Sequence, residues 1–107
     1  MKTIKLSNQA ISRLNEIADY YRSKEKSPQR AIKVIQSFDT SFQQIANDPY
    51  RYRKFLSNKF KTLDIRQYLH FKTYHIYYLI TVDNIIILEI FHLKQNATKI
   101  NLALSEI

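Results

Sequence analysis

Residues 74–96, YHIYYLITVDNIIILEIFHLKQN, constrain the fold of this chain more than any other stretch. Two apolar runs rich in Ile, Tyr and Leu flank Asp83-Asn84. β-branched and aromatic side chains suit a pleated, half-buried surface, and Asp-Asn suits a turn, so the pattern predicts antiparallel strands over 73–82 and 85–94. The chain contains no glycine. Tight turns must then come from Asn, Asp, Ser or Pro, and Asp83-Asn84 tolerates positive φ better than most pairs.

A turn symmetric about that pair sets the register. Val82 then faces Ile85, Leu79 faces Leu88, Tyr77 faces Ile90 and His75 faces His92. The alternate set pairs Ile80 with Ile87, Tyr78 with Glu89, Ile76 with Phe91 and Tyr74 with Leu93. The first set is the more apolar and is expected beneath other elements. The second, with Glu89 and two tyrosines, is expected to stay open. His75 and His92 would then meet at one end of the covered face. A one-residue bulge would break this register.

Upstream, residues 2–6 (KTIKL) alternate and read as a short strand. Ser7 can cap a helix of about four turns whose apolar stripe is Ala10, Leu14, Ile17, Ala18 and Tyr21. The charged RSKEK segment ends it. Ser27-Pro28 starts a second helix, with Ala31, Ile35, Phe38, Phe42, Ile45 and Ala46 on one side. Asn47-Asp48-Pro49 stops it, because proline disfavours helix in the residue before it. Residues 50–61 (YRYRKFLSNKFK) are basic and aromatic without a period and read as a loop. TLDIRQY alternates as a strand, with Leu63 and Ile65 facing one way and Asp64 and Arg66 the other.

The order is β-α-α-β-β-β. It predicts an α+β fold in which a helical hairpin covers one face of a three-stranded antiparallel meander. Residues 1–107 read as one domain, with 96–107 as a tail whose Leu102, Leu104 and Ile107 show no decisive period.

Composition narrows the chemistry. Without cysteine there are no disulfides and no thiolate metal site. Without glycine there is no phosphate-cradling loop and no dinucleotide fingerprint, so no cofactor is expected. The first residues lack a signal-peptide apolar core, and Glu89 breaks the longest apolar run, so a soluble cytoplasmic protein away from membranes is expected. A formal net charge of +8 and a pI near 9.8 attract polyanions, whether nucleic acid, an anionic membrane or an acidic protein.

The candidate site residues are histidines and cations. His75 and His92 suit either a metal-ligand pair or an acid–base couple. No carboxylate joins them by spacing, so a hydrogen-bonded structural pair is expected, and no metal site. His70 lies at an odd offset from His75 and points away on a regular strand. Arg51, Arg53 and Lys54, interleaved with tyrosines, suit phosphate binding and base stacking, or a solvated loop. Arg66 suits phosphate binding or pairing with Asp64 or Glu89, and Lys94 has a similar choice. No nucleophile–histidine–carboxylate arrangement emerges.

IKLSNQAISRLNEIADYY, IANDPYRYR, LDIRQY and YHIYYLITVDNIIILEIFHLKQN, in that order, resemble toxins of the RelE/ParE superfamily over roughly residues 3–97. The resemblance implies a bacterial type II toxin held by a cognate, acidic antitoxin in a hetero-oligomer. RelE-like members cleave mRNA at the ribosome, whereas ParE-like members bind and block DNA gyrase without known chemistry of their own. A RelE-like mechanism would draw its cations from Arg51, Arg53, Lys54, Arg66 and Lys94, with His92 or His70 as acid–base substitute. Beyond Lys94 there is no Tyr, His or Arg, so the acid–base element of RelE-like toxins is missing. FHLKQN instead resembles the ParE-type ending, although Lys94-Gln95 replaces the usual paired arginines. A ParE-like gyrase-binding toxin is the expectation, with a ribosome-dependent mRNA interferase as the alternative.

Overall fold

A computed structural model describes residues 2–55 and 62–94. The elements run β1 (Thr3–Leu6), α1 (Asn8–Asp19), a π-helical segment (Tyr20–Lys24), α2 (Pro28–Asn47), β2 (Arg53–Lys54), β3 (Ile65–His70), β4 (Tyr74–Ile80) and β5 (Asn84–His92). They form one sheet in the order β1-β5-β4-β3-β2. The expected α+β layout is present, with helices packed on one face. Two features enlarge the meander. β1 adds parallel to β5, and the two-residue β2 adds to β3 within the segment expected to be loop. Residues 56–61 and the tail 96–107 lie outside the described residues.

Both helix starts follow local chemistry. The Ser7 hydroxyl accepts from Ala10 N at 3.0 Å and donates to the Leu88 carbonyl at 2.6 Å, so one side chain caps α1 and ties it to β5. Ser27 caps α2, with Pro28 in its first turn. Both expected apolar stripes face the sheet. Ala10, Ile17, Phe38, Phe42 and Ile45 pack on Ile76, Tyr78, Ile80, Ile85, Ile87 and Ile90. Fully burying each Ile or Phe is worth roughly 1.5–3 kcal/mol, which makes this layer the main source of stability.

The hairpin register differs from expectation. Observed partners are Ile80–Ile85, Leu79–Ile86 and Tyr78–Ile87, then Tyr77–Glu89, His75–Phe91 and Tyr74–His92. The turn centres one residue earlier than Asp83-Asn84, and Leu88 is the extra residue of a bulge. Neither Asp83 nor Asn84 has positive φ. Instead Thr81 N donates to Asn84 O at 2.9 Å, and Asn84 N donates to the Thr81 hydroxyl at 3.0 Å. Lys2 Nζ then binds the Thr81 and Val82 carbonyls at 2.7 and 2.6 Å. A threonine hydroxyl and the lysine just before the first strand stabilise a turn that glycine or positive φ would otherwise serve.

The shifted register changes the faces. On β4 the helices cover Ile76, Tyr78 and Ile80, not Leu79, Tyr77 and His75. Ile85 and Ile90 of β5 are covered as expected, but Ile87 takes the place expected for Leu88. The opposite face carries a second cluster of Ile65, Tyr77, Leu88 and Phe91. The sheet is therefore apolar on both sides. Glu89, expected on an open face, is buried, and its carboxylate accepts from Ile90 N at 2.9 Å and Arg13 Nε at 3.3 Å. Leu63 precedes β3 and is exposed, so it does not share the environment of Ile65.

The β3–β4 connection is the tightest turn. Phe71 and Lys72 have φ of 46° and 58°, and Thr73 N donates to His70 O at 3.0 Å. Two successive positive φ values are the signature of a type I′ hairpin turn, here made without glycine or asparagine.

Candidate target-binding surface

Arg66 is the expected site residue whose surroundings are best defined. Its Nε donates to Asp64 at 2.9 Å, and one terminal nitrogen donates to the Tyr50 and Tyr52 carbonyls at 2.8 and 3.0 Å. Its guanidinium lies 5.5 Å from the Tyr50 ring centroid. Of the alternatives open in the sequence, pairing with Asp64 is the one observed. The side chain is only 16% accessible, so the strand position expected to be exposed is largely covered. Arg66 lies in register with Tyr78. The buried Tyr78 hydroxyl also reaches the same loop, donating to Pro49 O at 2.7 Å, and burial pushes this phenol's pKa up. Together the two side chains staple the segment after α2 to the sheet.

Arg51, Arg53 and Lys54 are exposed. Arg51 lies 5.9 Å from the Tyr52 ring, and Tyr52 meets Tyr68 edge-on at 4.8 Å. In β2, Lys54 is opposite Arg66 and Arg53 is opposite Gln67. Strand alternation therefore sends Arg53 toward the face away from the helices and Lys54 toward the helix-bearing side. Lys94 is exposed beyond the end of β5, past the Tyr74–His92 pair. From the level of Tyr78 to that of Tyr74 is about 13 Å along the strand alone. The five cations are thus spread over separate surfaces and do not close on a single phosphate.

The histidines are also apart. His75 faces Phe91 and His92 faces Tyr74, so they do not form the expected pair. Burial, followed by the charge of Arg53, lowers the His75 pKa. His92 Nδ1 accepts from Lys94 N at 3.1 Å, and its ring meets Tyr74 at 5.3 Å.

His70, expected to point away from His75 and kept as an acid–base substitute in the RelE-like alternative, has highly organised surroundings. It is 3% exposed and stacks on Phe38 at 4.0 Å between centroids. The Ser37 hydroxyl gives its proton to the Val34 carbonyl at 2.5 Å, so it must accept from His70 Nε2 at 3.2 Å. Nδ1 then accepts from the Ser41 hydroxyl at 2.7 Å. Burial lowers the His70 pKa to about 4. Such a neutral, enclosed imidazole is poorly placed to shuttle protons to a substrate. The sequence signal for it was Ser37 and Ser41, one helical turn apart on α2. The Arg13–Glu89 contact had no comparable signal, because Glu89 sits beside the bulge.

A cleft of about 440 Å³ opens between the π-helical segment and the far end of the hairpin, lined by Arg13, Glu16, Tyr20, Tyr21, Tyr74 and His92 among others. Among the described residues no group of metal-ligating side chains gathers, and no helix is long and apolar enough to cross a membrane.

Residues 4–97 match the family described as the ParE toxin of the type II toxin–antitoxin system parDE. The chain belongs to this ParE toxin family. The match spans β1 to the end of β5. A solved structure titled "Chromosomal ParDE TA system from P. aeruginosa" is similar in fold, with a TM-score of 0.71 and 18% identity. It covers 88% of this chain and 98% of that chain. No curated protein sequence shows a significant match.

Proposed function

We propose that this ParE-family toxin acts in the cytoplasm by binding DNA gyrase and blocking it, and that a cognate acidic antitoxin neutralises it in a hetero-oligomer. Family membership over residues 4–97 is the observation that carries this reading. The occupied donors of Arg66 and the enclosure of His70 favour binding over RNA cleavage, because a cation and an imidazole that such chemistry could use are engaged in holding the fold. The antitoxin is expected to wrap the helical pair, where Arg22, Lys24, Lys26, Arg30 and Lys33 are exposed. It then reaches the basic loop at Arg51, Arg53 and Lys54. Purified, antitoxin-free protein should inhibit gyrase supercoiling, and unimpaired supercoiling at saturating protein overturns the reading.

The exposed Arg51, Arg53 and Lys54 favour a second reading, a ribosome-dependent mRNA interferase that also uses Lys94 and His92. Mapping RNA 5′ ends after induction separates the two. Growth arrest with intact transcripts excludes cleavage.

A further inference from the structure

The β3–β4 turn combines disfavoured backbone with an apolar tip, and the ring of that tip, Phe71, meets His70 edge-on at 4.6 Å between centroids. Phe71 and Lys72 both hold positive φ, a region disfavoured for side chains with a Cβ. Phe71 is 70% exposed, although it is among the largest apolar side chains in the protein. Leu69, two residues earlier on β3, and Leu93, at the exit from β5, are 49% and 42% exposed. Leu93 N donates to Thr73 O at 3.0 Å, so the exit from β5 is held against this turn. Exposed Lys72 and Lys94 flank the apolar tip.

In a chain without glycine, a turn built only for folding would place Asn or Asp here and show a polar tip. Disfavoured backbone that holds an aromatic out into water is instead the mark of a contact residue. The aliphatic neighbours do not suit base stacking, which leaves a protein surface. The two lysines set its charge.

We infer that the Phe71 tip is the toxin's anchor on its target protein, inserting into an apolar pocket rimmed by carboxylates. Phe71 fills the pocket, Leu69 and Leu93 seal its margin, and Lys72 and Lys94 meet the acidic rim. The inference rests on the reading of this chain as a toxin that acts by binding. It leaves the helical pair to the antitoxin, so the two partners use different surfaces.

The test uses the full chain with Phe71→Gly and Lys72→Gly. Glycine relieves the positive φ at either position, while Phe71→Gly also gives up the edge contact with His70, so melting curves first establish that both variants are folded. Phe71→Gly should abolish growth arrest on induction and weaken inhibition of purified gyrase at least tenfold. Lys72→Gly should weaken inhibition several-fold. Full arrest by a folded Phe71→Gly variant overturns the inference and leaves the toxin reading intact. So does loss of binding to the antitoxin encoded beside the toxin gene, which would assign the tip to that partner. Conversion of a wild-type dimer to a monomer with arrest unchanged assigns it to self-association and likewise overturns the inference. Arrest that depends on Phe71 without any effect of wild type on gyrase supports the tip and rejects gyrase as target.

Discussion

The Ser41 hydroxyl on α2 donates to Nδ1 of His70 at the end of β3 across 2.7 Å, in a buried site where Phe38 stacks on the same imidazole. This bond joins the second helix to the strand that carries the strained turn. It also specifies a neutral ring, because Ser37 accepts from the other nitrogen.

Acid should therefore loosen the fold. The folded protein holds His70 near 4, whereas an unfolded chain takes up the proton near 6.5. The contribution of neutral His70 is complete above about 6.5 and is lost as the pH falls toward 4. By pH 4.5 the loss should be on the order of 2–3 kcal/mol. Urea unfolding of wild type and His70→Phe at pH 7 and pH 4.5 checks this. The variant should start less stable but lose distinctly less on acidification.

Arg66→Ala should destabilise the protein by about 2–3 kcal/mol, since it removes two bonds to carbonyls and leaves Asp64 half-buried without its partner. Arg66→Lys should recover little, because an ammonium cannot bridge Asp64 and two carbonyls as a guanidinium fork does. Growth arrest by a folded Arg66→Lys variant should remain, as expected of a staple and not of a phosphate-binding group. Selective loss of toxicity at unchanged melting temperature would return Arg66 to a direct functional role.

Arg13 and Glu89 should be energetically coupled. Glu89→Gln leaves a buried amide beside a half-buried guanidinium and should cost about 1–3 kcal/mol. A double-mutant cycle with Arg13→Met should give a coupling of about 1 kcal/mol, measured by chemical denaturation. Coupling near zero would mean that Glu89 is held by the Ile90 amide alone.

Reversing the charge of both Arg51 and Arg53 should slow association with the antitoxin, proposed to be acidic, and flatten its salt dependence, with a smaller change in dissociation. Stopped-flow association across ionic strength is the measurement. An unchanged association rate removes this loop from the wrapped surface.

Local chemistry written into the sequence determined the elements of this protein. Ser7 and Ser27-Pro28 cap the helices, Asp48-Pro49 ends the second, and both apolar stripes meet the sheet, because caps and helical period act over a few residues. The family resemblance was legible for the same reason, in the ordered segments from β1 to FHLKQN. The register was not. Where the hairpin turns depends on Lys2, remote in sequence, which binds the Thr81 and Val82 carbonyls, and on the bulge at Leu88, whose carbonyl Ser7 engages. Those contacts moved the turn by one residue, separated His75 from His92, buried Glu89 and brought His70 under Ser37 and Ser41. Side chains alternate with a period of two along a strand, so a one-residue shift exchanges the faces, and only the assembled sheet, helices and first strand determine which register is most stable.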